Sequence, residues 1–257
     1  MKNIVISLTA AIDRREHIKT EFNKHNINFE FFDALTPSVA EAYAKKLCTN
    51  FESSNLSGGE LACMMSHVSI WQKMIDESIP YLAIFEDDVY LGEDAEYLLN
   101  TTDWIQPTWH IIKTETVNDK ILLSSDRYEV IAEKRYLAQL KGTHLGSGGY
   151  ILSLHGAKLY FDYFTKNKLI PIDELMFDTF LSEGLEPIYQ MTPALCIQEI
   201  ILCGANSALL LPGSLMTDRS NKVNKIKKPF TYKLKREVSR LALQMKKALS
   251  AENIPFK

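Results

Sequence analysis

The sequence predicts an α/β protein: a mixed, largely parallel sheet flanked by helices, followed by a basic helical tail. Three observations predict it. Short β-rich apolar runs alternate with stretches of helical spacing through the acidic body of the chain. The apolar run Tyr81 to Phe85 ends in three successive carboxylates, Glu86-Asp87-Asp88, and open α/β sheets hold their ligands at the carboxyl ends of strands. A stripe of Leu234, Val238, Leu241, Met245 and Leu249, at steps of 4, 3, 4 and 4, marks the tail.

The elements follow in order. Lys2 to Leu8 is β-rich and apolar, a first strand. Asp13 to His25 is polar with Ile18 and Phe22 four apart, a helix. Phe29, Phe31 and Phe32 form a second strand that ends at Asp33. Ser57-Gly-Gly-Glu60 has the spacing of a capping box, in which Ser and Glu side chains satisfy each other's backbone amides. The helix it starts would bury Leu61, Met64, Met65, Val68, Trp71 and Ile75. Tyr81 to Phe85 is the next strand, and a helix follows from about Asp94. Trp109 to Lys113 is a strand, and Ile121 to Leu140 reads as a hairpin. Gly146-Ser-Gly-Gly149 is a turn before the strand Tyr150 to Leu154. His155 to Phe164 and Ile172 to Leu181 are helical, and Ile188 to Ile200 is a last strand region around Pro193.

The 257 residues, 46% apolar and 24% charged, exclude disordered, collagen-like and coiled-coil classes. Four cysteines without a Cys-x-x-Cys pair exclude a zinc ribbon or a disulfide framework. Charges at Asp13, Arg14, Arg15 and Glu16 interrupt any apolar leader, so a reduced, cytoplasmic protein is expected. Ile200 to Thr217 lacks charge but holds Gly204, Asn206, Pro212 and Gly213, so it reads as a buried strand, a polar turn and a second apolar stretch.

Charge divides the chain in two. Residues 218–257 carry 12 of the 29 Lys+Arg and only 3 of the 32 Asp+Glu, against an acidic body over 1–217. Lys233, Arg236, Arg240, Lys246 and Lys247 flank the tail's apolar stripe. Such a helix either lies on an anionic membrane surface or docks on the acidic body. An acidic body without a recognition motif excludes nucleic acid.

Three carboxylates at the end of a buried strand repel one another and call for a cation or hydrogen-bond donors. Oxygen ligands suit Mg²⁺ or Mn²⁺ bridging to phosphate. The competing reading is a solvated acidic turn. Taken alone, the cluster also fits a receiver domain, a metal-dependent phosphohydrolase or a non-catalytic nucleotide-sugar binding module.

Five blocks narrow the choice. Val5-Ile-Ser-Leu8 with Asp13-Arg14-Arg15, Leu56 to Cys63 followed by Ser66-His67 and Trp71, Ala83 to Val89, Gly148 to Ser153 with Gly156-Ala157-Lys158, and Pro171-Ile-Asp173 together resemble glycosyltransferase family 25. The bacterial members of that family are lipooligosaccharide β-galactosyltransferases. The resemblance implies a GT-A-like, Rossmann-type fold and an inverting transfer of galactose from UDP-galactose to an outer-core sugar, with a β-1,4 linkage. UDP-glucose is the alternative donor. It implies a divalent ion, Mn²⁺ or Mg²⁺, and a membrane-bound acceptor, for which the basic tail would provide peripheral attachment to the cytoplasmic face of the inner membrane; oligomeric state stays open.

By the same resemblance, Leu8 and Thr9 edge the uridine pocket, and Arg14 or Arg15 faces phosphate or ribose. Asp33 holds base or ribose, or is an ordinary turn residue. Glu60, Ser66 and His67 line the donor sugar, or His67 is a core histidine. Trp71 shares its helical face and is better suited to core packing. Asp88 is the leading metal ligand, with Glu86 as a second. Glu86 and Asp87 also suit ribose or supporting contacts. His144, Gln198 and Glu199 are the choices for a third ligand. An inverting displacement needs a base for the acceptor hydroxyl. Asp173, at a predicted helix start that favours its ionised form, is the first choice, with Glu174 and Asp178 behind it.

Overall fold

The computed structural model describes residues 1–47, 54–117, 119–204 and 251–257. The chain runs β1 (Lys2–Ser7), α1 (Ile12–Lys24), β2 (Glu30–Asp33), α2 (Pro37–Leu47), α3 (Gly58–Asp76), β3 (Tyr81–Glu86), β4 (Val89–Leu91) and α4 (Ala95–Asn100). The strands β5 (Ile111–Lys113), β6 (Glu115–Thr116), β7 (Lys120–Leu122), β8 (Tyr128–Ile131), β9 (Arg135–Gln139) and β10 (Gly149–Ser153) come next. They lead to α5 (Leu154–Lys166), α6 (Ile172–Glu174), a π-helical turn (Leu175–Thr179), α7 (Phe180–Glu183), β11 (Ile188–Thr192), β12 (Cys196–Gln198), α8 (Glu199–Cys203) and β13 (Ala251–Asn253).

Eight strands form the main sheet in the order β2-β1-β3-β10-β5-β11-β9-β8. The pairings run all of them in one direction except β10 and β9, so the sheet is mixed and mostly parallel, as expected. Alternate side chains of each central strand enter different cores. Ile4, Ile6, Leu82 and Ile84 join α3 and α5 on one face, while Val5, Ala83 and Phe85 join α1 and α4 on the other. Burial of both faces explains why β1 and β3 read as continuous apolar runs rather than alternating ones.

Several elements depart from the sequence expectation. Helix α2 went unpredicted. The stretch Ile172 to Leu181 is helical but broken by the π turn. The region Ile121 to Leu140 holds three strands, of which β8 and β9 form the hairpin. Glu199–Cys203 is a short helix, not the buried strand expected from Ile200 onward: β12 ends at Gln198, and Leu202 to Gly204 are exposed. The rest of the uncharged stretch, 205–217, and the basic segment through residue 250 lie outside the described residues. Among the described residues no helix is long and apolar enough to cross a membrane.

The last seven residues return to the body. Ala251–Asn253 pair antiparallel with β7, Ile254 is buried, and the Thr116 hydroxyl donates to the Ile254 carbonyl at 2.8 Å. The Ala194 amide donates to the Pro255 carbonyl at 2.8 Å. The segment then passes over Gly92, where a Cβ would meet the Lys257 carbonyl oxygen at 1.9 Å, so only glycine admits it.

Candidate active site

Strand register assembles the site. Parallel pairing sets Ser7 beside Asp33 and Ile6 beside Glu86, so β2, β1 and β3 finish at one edge. Antiparallel pairing brings Gly149, at the start of β10, beside Phe85 at that same edge. The loop after β1, the turn Asp87-Asp88 and the glycine turn before β10 therefore converge, although they are far apart in the chain.

Helix α1 supplies the cations. The Arg14 guanidinium donates to Asp87 and, at 3.2 Å, to Asp88 Oδ2. Burial alone would lower the Arg14 pKa, but Asp88 and Asp87 more than offset it and raise it, so Arg14 stays cationic. Arg15 donates to the Leu8 carbonyl at 3.1 Å and the Ser7 carbonyl at 2.9 Å, and it pairs with Asp33. Its guanidinium also lies 4.7 Å from the Phe31 ring centroid. Arg15 thus ties the ends of β1 and β2, and Leu8 contributes through its carbonyl while Thr9 is exposed.

The carboxylates have different surroundings. Glu86 accepts from the Ser147 hydroxyl at 2.6 Å and from the Gln198 amide at 3.2 Å. The His67 Nε2 atom lies 3.6 Å from Glu86 Oε1. Burial would push the Glu86 carboxyl up, but His67, Ser147 and Arg14 together hold it below its ordinary value. Asp88 differs. Burial and the neighbouring Glu86 push it up to about 7, against the pull of Arg14. Its Oδ1 atom is buried and makes no hydrogen bond among the described residues.

Sequence reasoning missed a second layer. Lys113 and Glu115 are both fully buried, with Lys113 Nζ 3.1 Å from Glu115 Oε2. Gly148 donates its amide to the same oxygen at 3.0 Å. Burial raises the Glu115 pKa, with Lys113 opposing it. Gly146 adopts φ +95°, and a Cβ there would sit 2.6 Å from Glu115, so the turn needs glycine on both counts. The available signal was Lys113-x-Glu115 directly after the apolar pair Ile111-Ile112, two charges on a strand edge that must be paired if buried.

The other predicted residues divide. Asp173 is half-buried and accepts from the Gly146 amide at 3.4 Å, which joins it to the turn whose Ser147 binds Glu86. Asp178 is exposed and accepts from the Thr143 hydroxyl, beside a cleft also lined by Lys141 and Glu186. Glu174 is exposed. Glu60 completes the capping box with Ser57, and Ser66 binds the Leu35 amide at 2.9 Å. His67 is fully buried, 2.7 Å from the Tyr150 hydroxyl, to which Trp71 also donates at 3.1 Å. Trp71 stacks on Tyr160 in the core. Of the third-ligand choices, Gln198 reaches Glu86, Glu199 donates its backbone amide to the Asp88 carbonyl at 2.9 Å, and His144 pairs with Gln190 at 2.7 Å.

The chain is 38% identical over 210 residues to the lacto-N-neotetraose biosynthesis glycosyltransferase LgtE of Neisseria gonorrhoeae, covering 78% of this chain and 75% of that one. It is 38% identical over 206 residues to the lipooligosaccharide biosynthesis protein lic2B of Haemophilus influenzae, covering 77% and 76%. A solved glycosyltransferase involved in glycosylation of the PBCV-1 major capsid overlaps 79% of this chain and 93% of its own, at a TM-score of 0.45 and 10% identity. Residues 1–176 match the family described as Glycosyltransferase family 25 (LPS biosynthesis protein). With blocks, sheet and acidic turn in the expected order, the chain belongs to glycosyltransferase family 25.

Proposed function

We propose that this glycosyltransferase moves galactose from UDP-galactose, with inversion, to an outer-core sugar of a lipooligosaccharide through a β-1,4 linkage. The names of its relatives support the acceptor class. The observation that carries the site is Asp88: a part-buried carboxylate whose buried Oδ1 has no hydrogen-bond partner among the described residues, flanked by Glu86, Asp87 and Arg14. That donor set fits a hard divalent cation, Mn²⁺ or Mg²⁺, with Asp88 as its first ligand. When bound, such an ion offsets the negative charge of departing UDP.

The chain's own residues do the rest. Arg14 neutralises Asp87 and Asp88 and aims a guanidinium into the donor site. Ser147 and Gln198 each donate to one oxygen of Glu86, so Glu86 is oriented at the edge and Asp88, not Glu86, is the first ligand for the hard ion. Asp33 and the Leu8–Thr9 loop border the space for the nucleoside. Asp173, fixed by the Gly146 amide beside the acidic turn, takes the proton of the acceptor hydroxyl. UDP-glucose is the alternative donor and is an arm of the same test. UDP release is measured with UDP-galactose, UDP-glucose and UDP-N-acetylhexosamines, with and without Mn²⁺ and a lactose or glucoside acceptor. Turnover only with UDP-galactose, dependent on Mn²⁺ and lowered about 100-fold or more in Asp88→Ala and Asp173→Asn, is expected, the range of a general-base loss. Full activity in Asp173→Asn removes it as base. Phosphate release from a simple phosphomonoester, without need of an acceptor, replaces the transferase with a hydrolase.

A further inference from the structure

Behind the acidic turn lies a second group of metal-ligating atoms, of which those on Cys63 and His67 have no part in the proposed transfer while Glu86 borders both positions. Cys63 and His67 are one helical turn apart on α3 and share a face. Glu86 ends β3 opposite them. One ligand atom from each of Cys63, His67 and Glu86 lies within 4.8 Å of the others. We propose that these three side chains form a binding site for a borderline-soft divalent cation of the Zn²⁺ type, distinct from the hard-ion position at Asp88.

The donor set separates the two positions chemically. Thiolate, imidazole and carboxylate together select zinc over magnesium, whereas a carboxylate cluster does the reverse. Zinc bound by three protein ligands, with a fourth position left to water, is an established coordination pattern. With zinc–ligand bonds of about 2.0–2.3 Å, tetrahedral ligands sit roughly 3.3–3.8 Å apart. The His67 Nε2 to Glu86 Oε1 separation of 3.6 Å already falls in that range. An adjustment of about 1 Å in side-chain position brings the widest pair to the same spacing.

His67 is an independent observation pointing to a ligand. It is fully buried, and its Nε2 atom faces Glu86 Oε1 at 3.6 Å, longer than an ordinary hydrogen bond. Its other nitrogen lies 2.7 Å from the Tyr150 hydroxyl, which also accepts from Trp71 Nε1 at 3.1 Å. Tyr150 fixes the ring so that Nε2 faces Glu86; in the metal-bound form Nδ1–H would donate to the Tyr150 oxygen and leave the Nε2 lone pair to the ion. Metal-ligating histidines are held in this way, through the nitrogen that does not bind the ion. Entry is open, because Cys63 and Glu86 are each only partly buried. Ion binding releases the Cys63 thiol proton to solvent, leaving the thiolate on the metal.

The test uses the full chain, freed of metal, and reads binding alone, so its outcome does not depend on the transferase reading. Co²⁺ is titrated first, and the thiolate-to-cobalt charge-transfer absorption is recorded. Zn²⁺ is then titrated against a chromophoric chelator. Wild type is expected to show the charge-transfer band with one equivalent of Co²⁺, bleached by Zn²⁺. Cys63→Ser is expected to lose the band and to weaken Zn²⁺ binding more than about 100-fold, beyond the effect of losing a supporting contact. Asp88→Asn, which leaves the three ligands in place, is expected to keep both the band and the zinc affinity. A wild type without the band, or Zn²⁺ affinity equal in wild type and Cys63→Ser, overturns the proposal.

Discussion

At the scale of single residues, Asp88 is where structure and chemistry conflict most. Its carboxyl is pushed from the ordinary 3.8 to about 7, chiefly by burial and then by Glu86. Between those values the folded protein holds a proton at Asp88 that the unfolded chain has released. The contribution of this group to stability is therefore present at low pH and lost as pH rises toward 7. Urea unfolding of wild type and Asp88→Asn without divalent ions checks this. The variant is expected to gain stability relative to wild type between pH 5 and pH 8, and added Mn²⁺ to narrow the gap at pH 8 by stabilising ionised Asp88. The cluster Glu86-Asp87-Asp88 was legible because three carboxylates after a five-residue apolar run have few innocent explanations. The roles within it were not legible. Ser147 and Gln198 satisfy Glu86, while Asp88 keeps an unpartnered oxygen, and that difference comes from β10 and β12. Glu115 and Lys113 escaped notice because two charges one residue apart look solvent-facing until Lys113 is known to end a central strand and Glu115 to begin the next, in a second sheet packed beside it.

At the scale of elements, local signals decided what could be read. The capping box at Ser57 is present as the spacing required, with the Glu60 amide on the Ser57 hydroxyl at 3.2 Å and the Ser57 amide on the Glu60 carboxylate at 2.8 Å. Ser57→Ala is expected to cost about 1 kcal/mol of unfolding free energy, read from the urea midpoint at unchanged slope. The same finding gives Glu60 a structural duty at the start of α3, next to any contact with the donor. The strands β1, β2 and β3 were legible because each is a short apolar run with a polar stop. Helix α2 was not read, although Ala40, Tyr43, Ala44 and Leu47 fall at helical spacing, because the two residues it buries are alanines and its stripe offers little apolar bulk. The π turn at Leu175–Thr179 was also invisible, because a one-residue widening leaves composition unchanged.

At the scale of the whole molecule, an acidic body is joined to a segment rich in Lys and Arg. On the proposed function the acceptor would be membrane-bound, which would give that segment a purpose: each basic residue near an anionic surface adds about 1 kcal/mol of attraction. Replacing Lys233, Arg236, Arg240, Lys246 and Lys247 with Gln is expected to lower binding to phosphatidylserine-containing vesicles more than tenfold while leaving thermal stability unchanged. Undiminished vesicle binding by this variant rejects membrane attachment through the segment. Deleting residues 230–257 is a poorer experiment, because it also removes β13 and the buried Ile254. That arrangement has a further consequence. Since Gly204 follows α8 and Ala251 opens β13, everything between them begins and finishes on one body, as a closed circuit and not a free end. A single tryptic cut after a lysine in that circuit would make two polypeptides without making two molecules. The smaller piece would stay zipped to β7 and ride with the larger on a native gel, and only denaturant would part them.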